Sequence, residues 1–517
     1  MPIDRSVATA GALPRGWRLA AIILWALLAV SKCWVAATLA PFGDEAFYWQ
    51  ESRALAWSYT DVPPATAVLI RLGETLFGHS PLGMRSLFLL LGALMPLWIW
   101  RIGARHFGEE RGAQAAVGWM ALPLGATLGV MAMPDVPLTI AAIGALAGLL
   151  AAVTQGGWRA WVLVGVSLAV AWFSHYRAAM LLLGGAVFLL GSAHGRAQFR
   201  RPGLWLALAI AATGLVPLVL FNASHDWHGM SFQFVERHPW RFQWSGLAQL
   251  VEQTIASTPL LYGVMLLALW RGWRQRDADP RVAVLACSGV GIALGYLLFG
   301  LFADDVRFRV HWPLPAYVAA VLLVPLLLDL SRRHAQRWVY GLGVIGTGLA
   351  TAYLAMAAHP ASIQTLAEFK LYPQNFVGWR EAGAETRHLL RADPSALLVA
   401  DNFLLAAELD FQLAGPAVYS LDHIRNVKHG RAGQLRIWQR DEAGLAARSG
   451  SPVLLVVEET SKQEGQAQWL QNLCRHVADL TFVQRLRLYG GRKIFSWYRG
   501  RVPGPQAPAQ CAADNSG

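Results

Sequence analysis

Four short stretches gather acids, arginines and histidines in a chain that otherwise carries few charges. The first reads Phe42-Gly43-Asp44-Glu45-Ala46-Phe47-Tyr48-Trp49 and continues through Tyr59-Thr60-Asp61-Val62-Pro63-Pro64. The second is the tight Met133-Pro134-Asp135-Val136-Pro137 turn, and the third is Ser174-His175-Tyr176-Arg177. The fourth reads Asp304-Asp305-Val306-Arg307-Phe308-Arg309-Val310-His311-Trp312. A carboxylate within hydrogen-bond reach of a hydroxyl serves as a general base. Arginines stabilise charge that develops on a departing phosphate. Acids and arginines brought to one place therefore suit transfer of a group from an anionic carrier to a hydroxyl acceptor.

The elements that must position these stretches are membrane spans. Of 517 residues, 55% are hydrophobic and 15% charged, against roughly 25% charged in an ordinary soluble domain. Mean hydropathy is +0.37. A charged surface cannot be made from this composition, which excludes a soluble globular enzyme and disordered or fibrous chains. Runs of about 20 apolar residues are needed per spanning helix. About eleven are read, at 19–40, 82–100, 112–131, 136–153, 160–175, 178–193, 204–222, 256–270, 282–302, 313–330 and 338–357. As one helix, 160–193 would be about 50 Å long, so it reads as two short spans joined at Ser174–Arg177. The first run is too long for the apolar part of a signal peptide, and cleavage after Ala40 would put Pro41 first, so it reads as an anchor.

The loops on one side of these spans hold 17 of the 26 basic residues in 1–359, among them Arg101, Arg105, Arg200, Arg201, Arg274 and Arg276. The positive-inside bias then predicts a cytoplasmic N-terminus and an external tail. All four charged stretches fall on the external side. Carboxylates in short turns at membrane depth are costly and usually face a polar cavity. The formal charge of +12 is thus a topology signal and no sign of nucleic-acid binding. Residues 1–358 read as a transmembrane catalytic domain and 359–500 as an extracytoplasmic α/β domain. In the latter, strand-like runs (396–400, 418–421, 453–458, 493–498) alternate with helix-like ones (378–392, 402–413, 463–473). Residues 501–517 read as a disordered tail. Four cysteines are too few for a disulfide framework; Cys474 and Cys511 could pair only in an extracytoplasmic tail.

A lipid-borne donor fits an external site with no nucleotide loop. A polyprenyl-phosphate sugar has an anionic leaving group for the arginines, and an apolar groove between spans would hold its tail. The expected partners are this donor, a glycolipid or glycan acceptor, and membrane lipids. Asp44-Glu45 after the first span, Tyr59 to Pro64, and Met133-Pro134-Asp135 resemble bacterial members of the dolichyl-phosphate-mannose–protein mannosyltransferase family. These belong to the GT-C superfamily, which includes the lipid A aminoarabinose transferases. The resemblance runs from about residue 38 to 190, and more loosely through Arg309-Val310-His311-Trp312-Pro313 and Gly378-Trp379-Arg380-Glu381. It implies a GT-C-type polytopic helical fold and an inverting transfer in the bacterial cytoplasmic membrane, to lipid A, lipopolysaccharide or another envelope glycan. Asp44 corresponds to the family's first-loop acid, the base, and Asp135 to the second acid. Glu45, Tyr59, Asp61, His175, Arg177, Arg307 and Arg309 are the expected substrate contacts. Val62 departs from the aminoarabinose transferases, which have a phosphate-contacting lysine before the Pro-Pro pair.

Each of these residues has a plainer reading. Asp44 and Asp135 suit helix N-caps, Glu45 a loop-orienting role and Asp61 a turn. His175 and Arg177 could reach the interface simply by snorkelling, and Arg307 and Arg309 could bind lipid headgroups in general. His225-Asp226-x-His228 has a metal-like spacing but reads as surface sequence; no metal ligand is assigned, and a divalent cofactor is left open. Rival functions are a protein O-mannosyltransferase-like enzyme, a secondary transporter or lipid flippase, and a non-catalytic assembly or sensor protein. Transport predicts ionisable residues near the midplane and paired broken helices. The acids here sit at one face instead.

Overall fold

The computed structural model describes residues 16–238, 240–303, 310–327, 333–369, 371–415, 417–460 and 466–504. Arg307, Arg309, Asp304, Asp305, Asp329, Cys511 and the expected 501–517 tail beyond 504 lie outside the described residues. The chain divides into two compact units. One comprises Met1–Ala37, Val62–Asp226 and His238–Tyr353; the other comprises Thr38–Asp61, Trp227–Arg237 and Leu354–Gly517.

The first unit is helical. Among the described residues, six helices are long and apolar enough to cross a membrane, or up to eight if each of two bent pairs is one span. They include Trp17–Thr38, Pro81–Phe107, Asp135–Thr154, Pro202–Ser224 and Pro280–Phe302. Trp158–Ser174 and Leu314–Leu327 are shorter apolar helices. The expected run at 112–131 is instead two pieces, Glu109–Met120 and Pro123–Thr127, because Pro123 has no N–H to continue the first helix. The apolar stretch 160–193 does break at 175–177, between Trp158–Ser174 and Ala178–Gly191. This is a multi-pass membrane protein.

Close helix approach in this unit depends on missing side chains. A Cβ on Gly103 would lie 2.6 Å from the Gly112 Cα, and one on Gly112 would collide with the backbone at Trp100 and Ala104. Two glycines facing one another let Pro81–Phe107 and Glu109–Met120 pack backbone to backbone. Such small-residue contacts are the usual means of helix association in lipid, where apolar burial supplies little driving force.

The second unit contains a five-stranded sheet in the order β2-β1-β3-β5-β4. Its strands are β1 (Leu397–Ala400), β2 (Tyr419–Ser420), β3 (Pro452–Glu458), β4 (Ala478–Leu488) and β5 (Lys493–Arg501). β1 runs parallel to β2 and β3, while β5 pairs antiparallel with β3 and β4. β3 is apolar from Pro452 to Val457 because both faces are covered. Leu454 and Val456 pack with Trp379, Leu405, Phe495 and Trp497 on one side. Val453, Leu455 and Val457 pack with Leu421, Leu445 and Val477 on the other. The indole N–H of buried Trp497 donates to Thr386 Oγ1 at 3.0 Å, so the helix Trp379–Ala392 is tied to the sheet by a satisfied polar contact. Cys474 is disulfide-bonded, whereas Cys33 and Cys287 are free.

Candidate active site

Each unit holds a cluster of charged residues that includes expected site residues. In the second unit, Asp44 and Glu45 stand in the first turn of the helix Gly43–Arg53, where carboxylates interact favourably with the unpaired N–H groups and the helix dipole. Glu45 is fully buried and accepts a hydrogen bond from the Phe42 backbone N–H at 3.0 Å. It thereby closes the helix start and leaves Asp44 as the acid of this turn that keeps contact with solvent, its side chain 25% exposed.

Arg431, just before the helix Ala432–Ile437, gathers the acids around it. Its Nη2 donates to Asp44 Oδ1 at 3.1 Å, its Nη1 pairs with Asp61, and Glu51 Oε1 lies 3.9 Å from Nη1. The guanidinium sits 4.4 Å from the Phe47 ring centre and 5.1 Å from that of Tyr48. Buried and stacked between aromatic rings, such a cation is held in one orientation. Glu51 is completely buried, and its carboxyl oxygens have no hydrogen-bond partner among the described residues. Burial raises its pKa well above the usual carboxylate range; Arg431 opposes that shift and Asp44 adds to it. One arginine among three carboxyl groups thus favours a protonated Glu51.

The rest of the loop is fastened by its own hydrogen bonds. Tyr59 is fully buried and its hydroxyl donates to the Glu51 carbonyl at 2.8 Å. Thr60 donates through Oγ1 to the Gly430 carbonyl at 3.0 Å, and its N–H donates to Gln434 Oε1 at 3.1 Å. The Asp61 carbonyl accepts from Gln233 Nε2. Tyr59 and Asp61, expected as substrate contacts, are therefore engaged with the loop, Arg431 and the 227–237 segment.

The first unit brings Asp135 and Arg177 together. Asp135 opens the helix Asp135–Thr154, and Arg177 stands immediately before Ala178–Gly191. Arg177 Nη2 donates to Asp135 Oδ1 at 2.6 Å, and His311 Nε2 is 3.4 Å from Asp135 Oδ2. The guanidinium lies 5.2 Å from the Trp312 ring centre. His175 turns inward and its Nδ1 accepts the Arg177 backbone N–H at 3.1 Å, which fixes the break between the two helices. Arg177 is 10% exposed, yet its Nε and Nη1 have no hydrogen-bond partner among the described residues. Buried donors are seldom left unmet; Nε and Nη1, on opposite edges of the guanidinium, are donors that an anionic ligand could engage.

Arg431 escaped the sequence reading, and so did the pairing of His311 with Asp135. His311 lies in a stretch already noted for its charges. Arg431, within Lys428-His429-Gly430-Arg431, looks like ordinary surface sequence and gives no local signal. His225 is engaged with the Phe221 carbonyl at 2.8 Å and stacks on its ring. No group of three His, Cys, Asp or Glu among the described residues is disposed to hold a metal ion.

The sequence model of the family described as dolichyl-phosphate-mannose-protein mannosyltransferase matches residues 61–221. No curated protein gives a significant match. In fold the chain is similar to ArnT from Cupriavidus metallidurans in the apo state, with a TM-score of 0.64 and 16% identity over 92% of this chain and 97% of that one. It is likewise similar to the same protein bound to undecaprenyl phosphate, with a TM-score of 0.63, 16% identity and the same coverage. In sequence over 61–221 and in fold over most of its length, the chain is a GT-C-fold protein resembling the dolichyl-phosphate-mannose-protein mannosyltransferases and ArnT.

Proposed function

We propose that the protein is an inverting glycosyltransferase of the bacterial cytoplasmic membrane. It takes a sugar from a polyprenyl-phosphate donor and passes it to a glycolipid or envelope glycan on the external face, with the N-terminus cytoplasmic and the sheet-bearing unit outside. The observation that carries this reading is Arg177, a buried guanidinium held by Asp135, with two donors that have no hydrogen-bond partner among the described residues. Likeness to an ArnT structure bound to undecaprenyl phosphate adds to it. Asp44 is the base: as the acceptor oxygen attacks the sugar's anomeric carbon, its proton passes to the Asp44 carboxylate. The bond from that carbon to the phosphate oxygen breaks, and its electron pair leaves with the phosphate. Arg177 stabilises the charge developing there. Asp135 and His311 keep Arg177 in place, and Arg431 aims Asp44.

The test is reconstitution in proteoliposomes with a panel of labelled polyprenyl-phospho-sugars. Wild type releases polyprenyl phosphate from one donor, and Asp44→Asn, folded normally, lowers turnover by about 10²-fold or more. Passage of labelled solute or lipid across the bilayer with no donor consumed would replace this reading with a transporter. Unchanged turnover in Asp44→Asn would remove Asp44 as the base.

A further inference from the structure

The first unit has a second polar feature that the transfer reaction does not use. Lys32 lies within the apolar helix Trp17–Thr38 and is 5% exposed. It stands six residues before the helix end, about 9 Å along the axis. Its Nζ donates to the Leu128 carbonyl at 2.5 Å. Gly92 makes room for that contact: a Cβ there would collide with the Leu128 oxygen and stand 3.0 Å from Lys32 Nζ. The ammonium has two further donors, and it forms no ion pair among the described residues. An ammonium buried at membrane depth without a counter-ion is costly and points to a functional site.

Beside Lys32 runs a groove of about 290 Å³, walled chiefly by Trp25, Leu28, Phe77, Leu89, Leu90 and Pro96. Phe77 is 62% exposed and Leu90 54%, so the groove opens onto the apolar surface that faces lipid. An apolar groove lined in part by a lysine with no ion pair among the described residues matches one ligand class, an alkyl chain carrying an anionic head. We propose that this groove binds an anionic phospholipid of the surrounding bilayer, with an acyl chain along the apolar walls and the phosphate on Lys32 Nζ. Charge complementarity selects this occupant: the lipid supplies a negative charge that no described residue places on Lys32. The inference stands independently of the glycosyltransferase reading.

Native mass spectrometry of the delipidated full chain, titrated with phosphatidylglycerol or phosphatidylcholine, tests it. Wild type is expected to bind one phosphatidylglycerol in preference to phosphatidylcholine. Lys32→Gln, which keeps an amide donor but carries no charge, weakens phosphatidylglycerol by about tenfold or more and abolishes the preference. Ala29→Phe, which fills the groove and leaves Lys32 in place, lowers retention of both lipids. An undiminished preference in monodisperse Lys32→Gln would overturn the proposal and leave Lys32 as a donor to Leu128 only. Displacement of phosphatidylglycerol by equimolar undecaprenyl phosphate would overturn it too, by assigning the groove to a carrier lipid.

Discussion

Arg431 shows how one side chain can govern a cluster of charges that outnumber it. Removing one member of a buried ion pair costs about 3–5 kcal/mol because the partner is left uncompensated. Arg431→Met should therefore lower stability by that order in thermal unfolding of the detergent-solubilised protein, and Asp61→Asn added to it should recover part of the loss. If the double variant is no better than the single one, Asp61 is not the group that Arg431 neutralises. Arg177 has a different signature because its Nε and Nη1 meet no hydrogen-bond partner among the described residues. Arg177→Lys keeps the charge near Asp135 but not the planar fork. The donor KM in proteoliposomes should rise roughly tenfold to a hundredfold, corresponding to about 1.5–3 kcal/mol for hydrogen bonds to a charged group. A change in acceptor KM alone would place Arg177 away from the donor.

At the scale of elements, the helical unit depends on how closely its backbones approach. Gly103→Ala places a methyl against the Gly112 backbone, which cannot step aside as a flexible side chain would. Overpacking of about 1–3 kcal/mol should exceed the roughly 1 kcal/mol that alanine gains over glycine in a helix, so the net effect is destabilising. Gly185→Ala in Ala178–Gly191 meets nothing within 4 Å and should be neutral or slightly stabilising. Comparing the unfolding temperatures of the two variants separates packing from propensity. In the sheet, β4 was missed by the sequence reading although its neighbours were found. Its residues alternate between half-buried and exposed, with Thr481, Gln484, Arg485 and Arg487 among them. Val483, Leu486 and Leu488 pack on the core only in part, and pairing along β5 completes the strand; burial of β3 on both faces gave it the apolar run that a sequence reading finds readily.

At the scale of the whole molecule, stability should depend on pH through a buried acid that the proposed chemistry does not use. Asp401 follows β1 and is fully buried; burial, with repulsion from Glu458, pushes its pKa up to about 7. A carboxyl whose folded pKa is raised binds its proton more tightly folded than unfolded. Its effect is therefore absent below about pH 4 and destabilises progressively as pH rises toward 7. Asp401→Asn should flatten this fall in thermal stability between pH 4 and 7. An unchanged slope would show that Asp401 is ionised in the folded protein throughout.

Apolar composition and span-length periodicity suffice to read a multi-pass helical protein, because lipid forces every spanning backbone to satisfy itself within a helix. The charged turns stand out for the same reason, and this made Asp44, Asp135 and Arg177 legible as candidates. Period-two alternation and apolar runs revealed most of the sheet. Tertiary structure alone decided which charges meet. Asp44 and Arg431 are 387 positions apart, and no local pattern records a contact made across that separation. It also separated the acid that keeps contact with solvent, Asp44, from Glu45, Glu51 and Asp61, which are buried around it. Adjacent carboxylates look alike in a sequence; their burial and partners, set by the packing of distant segments, distinguish them.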